Sequence, residues 1–150
     1  MKFIPKNIIQ EIEKIVQKHN FFLIDLIERG NVNNPVFEFY IDGTEIVTIE
    51  NCAQISREIR NLLETESSVS EKYRIDVSSP GVDRPLKFIE QYHKHIGRKF
   101  ELKFKLENQT KKITVDLVSV LDNKLNFKNA NEDYLIDFDT IMSAKVLITF

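Results

Sequence analysis

Apolar side chains between Pro5 and Asn20 fall at Ile8, Ile12, Ile15 and Val16, spaced i, i+4, i+7 and i+8, with Glu11, Lys14 and Lys18 on the other side. This spacing predicts an amphipathic helix. From Phe21 to Glu28 the chain is a continuous apolar run broken by Asp25, and its Phe and Ile content fits a strand better than a second helix. Gly30 to Pro35, with three asparagines, is turn chemistry. Beyond it Phe37, Phe39 and Ile41 alternate with Glu38, Tyr40 and Asp42, which predicts a hairpin. Thr48 is placed as an N-cap, with Glu50 in the first turn where the helix dipole favours negative charge. The stripe Ile49, Cys52, Ile55, Ile59, Leu62 and Leu63 keeps helical spacing to about Glu64. A polar stretch then leads to Tyr73, Ile75 and Val77, alternating with Arg74, Asp76 and Ser78, a third strand. The first half is expected to be α-β-β-α-β, two helices on a three-stranded sheet.

The segment from Ser78 to Leu86 contains Pro80, Gly81 and Pro85, which end the strand and continue neither helix nor ladder. A short apolar helix is expected over about Lys87 to His95, with Phe88, Ile89 and Tyr92, ending at Gly97. After it the texture changes to five short runs: Phe100, Leu102, Phe104 and Leu106; Ile113, Val115, Leu117, Val118 and Val120; Leu125 and Phe127; Tyr134, Ile136 and Phe138; and Val146, Ile148 and Phe150. Asp122 with Asn123, and Asn129 through Glu132, separate some of them. Such spacing predicts a small antiparallel barrel. The expected class is α+β: an α/β N-terminal domain over 1–83, a junction and short helix over 84–93, and a β-barrel over 94–150.

Composition narrows the classes. With 150 residues, 42 % apolar and 29 % charged, the chain is too hydrophobic for a disordered one. No window approaches the roughly 18 uninterrupted apolar residues of a membrane span. The first ten residues lack the pattern of a signal peptide, and the lone Cys52 permits no internal disulfide, so a reducing cytoplasmic setting is expected. Cys52 itself reads as a small hydrophobe on the helix stripe.

The net charge of −2 gives no licence to infer nucleic-acid binding. Divided, however, residues 1–93 carry 11 basic and 15 acidic side chains, a net of −4, and residues 94–150 carry 10 and 8, a net of +2. The window from Lys94 to Lys112 holds Lys94, Arg98, Lys99, Lys103, Lys105, Lys111 and Lys112 against Glu101 and Glu107. On the strand predicted from Arg98 to Leu106, alternation puts Lys99, Glu101, Lys103 and Lys105 opposite the Phe and Leu side chains. Two readings compete: a solvated face whose lysines guard an edge strand, and a contact surface for phosphate or an acidic protein.

No catalytic constellation assembles. The four glycines have no fingerprint spacing, and His19, His93 and His95 lack companions for a metal site, so neither cofactor nor metal is expected. Ser78 and Ser79 precede a proline and are read as satisfying backbone groups at a strand end. Asp83 and Arg84 sit in a proline-flanked turn, where Asp83 can accept local backbone hydrogens, Arg84 can brace the junction or meet a partner, and an Asp beside an Arg also offers a third, acid–base reading, the least favoured of the three.

The run Asp76, Val77, Ser78, Ser79, Pro80, Gly81, Val82, Asp83, Arg84, Pro85, Leu86 resembles the V-S-S-P-G-x-D-R-P-L pattern of the bacterial ribosome maturation factor RimP family. Further features are similar to that family: Phe21 with Leu23, the strand end Tyr40, Ile41 and Asp42, the helix opening Ile49, Glu50, Asn51 and Cys52, and the closing Ile141, Ala144, Lys145 and Val146. The chain departs at Asp116, where many relatives have a glycine in the second barrel strand, which puts a bend or bulge there in question. The resemblance implies an α/β domain followed by an SH3-like barrel of the Sm type. It also implies a non-enzymatic, monomeric role in binding the immature small ribosomal subunit, with ribosomal RNA and a ribosomal protein as partners and no membrane. On that expectation the junction residues Ser79, Gly81, Asp83, Arg84 and Lys87 and the basic barrel face Arg98, Lys99, Lys103, Lys105, Lys111 and Lys112 make the contacts. The competing reading is a generic RNA-binding or adaptor module away from the ribosome, since small barrels host many functions; the GXXG clamp of a KH domain is absent from Ser79 to Val82.

Overall fold

Between Pro80 and Gly81 the chain divides into two units, Met1–Pro80 and Gly81–Phe150. The structure, a computed structural model, describes residues 4–66, 72–81 and 84–147. The expectations for Val82, Asp83, Ile148 and Phe150 therefore lie outside the described residues.

In the first unit, helix α1 (Lys6–Lys18) buries Ile8, Ile12 and Val16, three positions of the expected stripe. Strands β1 (Phe22–Asn31) and β2 (Asn34–Asp42) are antiparallel; helix α2 (Ile49–Glu64) then carries the chain to β3 (Arg74–Ser78), which runs parallel to β2. A parallel neighbour requires such a crossover. The sheet order is β1-β2-β3. Phe37, Phe39 and Ile41 are fully buried against Ile12, Val16, Ile55 and Ile59, so both helices cover one face of the sheet.

Two sequence expectations change here. The turn is shorter than Gly30 to Pro35: Gly30 pairs with Pro35 and Asn31 with Asn34, leaving Val32 and Asn33 between the strands. Gly30, at φ +86°, brings the strands so close that a Cβ would lie 2.4 Å from the Asn34 carbonyl oxygen, and Asn31 Oδ1 accepts the amides of Asn33 and Asn34 at 3.0 and 2.9 Å. Backbone pairing thus continues through residues whose composition reads as loop. The second change is Ile49, which is 91 % exposed although it belongs to the helical stripe. It lies in the first turn of α2, which Thr48 caps through reciprocal bonds with Asn51. Cys52 is half-buried on the flank of the core, and burial pushes its thiol up.

The second unit opens with an irregular segment in place of the expected helix over Lys87 to His95. Two 3₁₀ turns, Ile89–Gln91 and His93–His95, stand there. Buried Gln91 accepts the amides of Lys87 and Phe88 at 2.7 Å each, and Tyr92 is wholly buried, so side-chain anchoring replaces a continuous helical ladder. Five antiparallel strands follow: β4 (Lys99–Leu106), β5 (Gln109–Leu121), β6 (Lys124–Lys128), β7 (Asp133–Asp137) and β8 (Ile141–Val146), in the order β7-β6-β5-β4-β8. Phe138 leaves the predicted strand for a 3₁₀ turn but still packs on the core. The last strand begins at Ile141, earlier than its apolar run predicts. The core is aromatic: Tyr92 stacks on Phe100 at 5.8 Å, and Phe138 and Phe127 meet this pair edge-on at 6.0 and 5.7 Å.

Candidate nucleic-acid interface

Register decides which lysines share a surface. Lys99, Lys103 and Lys105 stand on the face of β4 opposite the buried Phe100, Leu102 and Phe104, as alternation requires. Their β5 partners are Asp116, Lys112 and Thr110, while Glu101 faces Thr114. On the other side β8 sets Ser143 opposite Lys103 and Lys145 opposite Glu101.

The face is therefore graded. At one end Lys99 pairs with Asp116 at 3.4 Å, and Lys112 reaches Glu101 at 3.2 Å. Toward the β4–β5 turn, Lys103 and Lys105 are exposed and, among the described residues, make no ion pair. Lys103 lies directly opposite Lys112. Like charges so placed destabilise a sheet; an anion between them would remove that cost.

The remaining basic residues are placed elsewhere. Lys111 pairs with Phe104, so alternation assigns it to the other face of the hairpin from Lys103 and Lys112. Arg98 is exposed one step before β4, its carbonyl accepting the Leu117 amide at 3.0 Å. Burial pushes the Lys94 ammonium below the ordinary lysine range. His95 is pushed down to about 4, first by burial and then by Lys94 and Arg98. Its Nδ1 and the Tyr92 hydroxyl are buried without hydrogen-bond partners among the described residues.

Of the junction residues, Ser79 is exposed at the end of the first unit, and Gly81, at φ +71°, opens the second. Arg84 is half-buried and Lys87 is exposed, its ammonium 5.7 Å from the Phe88 ring centre. The Leu86 amide donates to the Ala144 carbonyl at 2.8 Å, which sets Lys87 beside β8. Asp83 lies outside the described residues.

Sequence reasoning missed Ser143 and Lys145, which complete the outer surface. The buried Ala144 and Val146 alternating with them carried that signal. Among the described residues, no group of three or more His, Cys, Asp or Glu side chains is placed to hold a metal, and no helix is long and apolar enough to cross a membrane. Compared with protein-family models, residues 11–83 match the one described as the RimP N-terminal domain.

Proposed function

From the premise that the chain belongs to the RimP family of ribosome maturation factors, we propose that it binds the immature small ribosomal subunit and promotes its maturation by contact alone, in the cytoplasm and as a monomer. The observation that carries this reading is the match of residues 11–83 to the family's N-terminal domain. In this reading the five-stranded second sheet works as an SH3-like barrel of the Sm type.

The outer surface of β4, β5 and β8 lies on ribosomal RNA, with Lys103 and Lys105 neutralising phosphates and Arg98, Lys99, Lys111 and Lys112 adding charge around them. Ser79, Gly81, Asp83, Arg84 and Lys87 meet a ribosomal protein. The graded ion pairing supports this division, because only cations not already satisfied within the sheet release counterions from RNA on binding.

Sedimentation of the protein with small subunits across a salt series tests the reading. Binding weakens as salt rises, and the double variant Lys103→Gln, Lys105→Gln reduces the slope of log affinity against log salt by about 1.4 to 1.8 for two lost phosphates. Unchanged affinity and slope in that variant would remove the basic surface from the mechanism. Recovery with naked RNA but never with subunits would overturn the assembly role.

A further inference from the structure

The first unit carries its own concentration of positive charge against its overall balance. Residues 1–80 hold 9 basic and 13 acidic side chains, a net of −4, yet four of those cations gather where β2 and β3 begin. Arg29, Val36 and Arg74 form one cross-strand row on the sheet face away from the helices. Lys72 stands two residues before β3, and the Arg60 guanidinium lies 5.5 Å from the centre of the Tyr73 ring.

Beside this row is an open cleft of about 400 Å³, lined by Asn34, Pro35, Val36, Lys72, Tyr73 and Arg74. Its size falls within the range of small-ligand sites, about 300 to 1,000 Å³. The lining combines three apolar or aromatic residues (Pro35, Val36 and Tyr73, whose half-buried ring packs beside Phe37 with the Arg60 guanidinium over it), one amide and two cations. Arg74 reaches Asp76 through Nε at 3.3 Å, and Arg29 engages Glu38 through Nε; a guanidinium has five N–H donors, so each retains others for a ligand.

An inorganic anion would use the cations and leave the ring and proline unused. A purely apolar ligand would do the reverse. A flat aromatic group carrying a phosphate uses both, by the stacking-plus-charge recognition that single-stranded nucleic acids receive. The cleft is open to solvent rather than enclosed, which suits a unit within a passing strand better than a sequestered free nucleotide.

We propose that this cleft binds one nucleotide of a single-stranded RNA, its base against Tyr73, Pro35 and Val36 and its phosphate at Lys72 and Arg74. The inference goes beyond the reading above, which draws RNA contacts from the second unit alone.

The test is an NMR titration of the full chain with octauridylate, with uridine monophosphate, and with an oligoglutamate peptide. Octauridylate is expected to shift the amides of Asn34, Val36, Tyr73 and Arg74. Uridine monophosphate should shift the same set at higher concentration. Lys72→Gln with Arg74→Gln should reduce the salt slope of this binding by about 0.7, one phosphate on a single strand. Tyr73→Leu should weaken it about fivefold or more, the low end of one stacked base, with a melting curve confirming that the variant folds. Lys103→Gln with Lys105→Gln separates the two readings: cleft shifts that persist there support the cleft whether or not subunit binding survives. Shifts confined to β4 and β5, shifts by oligoglutamate alone, shifts by the mononucleotide but not the octamer, or full affinity in the cleft variants would overturn the proposal.

Discussion

Each unit has a sheet with one face to bury, and the two bury it by different means. In the first, α1 and α2 supply an aliphatic layer of Ile8, Ile12, Ile55 and Ile59 over three strands, leaving the opposite face to a network of Arg29, Glu38, Arg74 and Asp76. In the second, no described helix exceeds a 3₁₀ turn, and aromatic rings gathered around Phe100 fill the interior. The first unit answers Arg29 and Arg74 with nearby acids, whereas the second leaves Lys103 and Lys105 without an acid among the described residues. Burying a sheet is one requirement and presenting charge is another, and the two units satisfy them independently.

That independence can be broken most directly in the cores. Phe100→Ala removes a fully buried ring and should cost about 3–5 kcal/mol, Ile59→Ala about 2–5 kcal/mol. Calorimetry and circular dichroism should show Phe100→Ala melting the second unit while helical ellipticity persists, and Ile59→Ala the converse. A single transition lowered equally by both would show that the units fold as one.

Acid sharpens the contrast. The folded-state pKa of His95 lies below the ordinary histidine value, so the unfolded chain takes up a proton first as pH falls. Stability of the second unit should therefore decline between about 6.5 and about 4, with a slope approaching about 1.4 kcal/mol per pH unit. His95→Leu should flatten that decline in denaturant melts. The first unit should hold until lower pH, because hydrogen bonds from Lys18 and His19 keep Glu58 below the usual carboxylate range, and its contribution is lost only as that carboxylate protonates. The smallest effect is local: Thr48→Ala removes the α2 cap and should lower the first unit's stability by about 1 kcal/mol, leaving the second unchanged.

Much of this architecture is legible in the sequence because burial imposes a period. Phe37, Phe39 and Ile41, and likewise Phe100, Leu102 and Phe104, announce their strands and their inner faces. Features set by a single contact are not legible that way. The tight β1–β2 turn depends on Gly30 and the Asn31 side chain, the 3₁₀ turns on buried Gln91, and the exposure of Ile49 on its place in the first turn of α2. The lysine surface was partly readable, since alternation alone groups Lys99, Lys103 and Lys105. Which β5 residues join them depends on the Glu107–Asn108 turn, where both residues have positive φ. That turn fixes the pairing that puts Lys112 opposite Lys103 and Lys111 opposite Phe104. The cleft beside Tyr73 has no local sequence signal, because 38 residues separate Val36 from Arg74, its partner in the ladder.

Along β5 the register against β6 shifts between Leu117 and Ser119, with Val118 the extra residue. The bulge works like a frameshift in the alternation of sides. Before it Val115 and Leu117 point inward and Lys112 and Thr114 outward; after it Val120 packs on the core while Leu121 stands 74 % exposed. One strand thus serves two neighbours in two different frames. Lengthening or shortening the β5–β6 turn leaves the lysine end in its frame, whereas deleting Val118 forces one end of the strand to trade inside for outside.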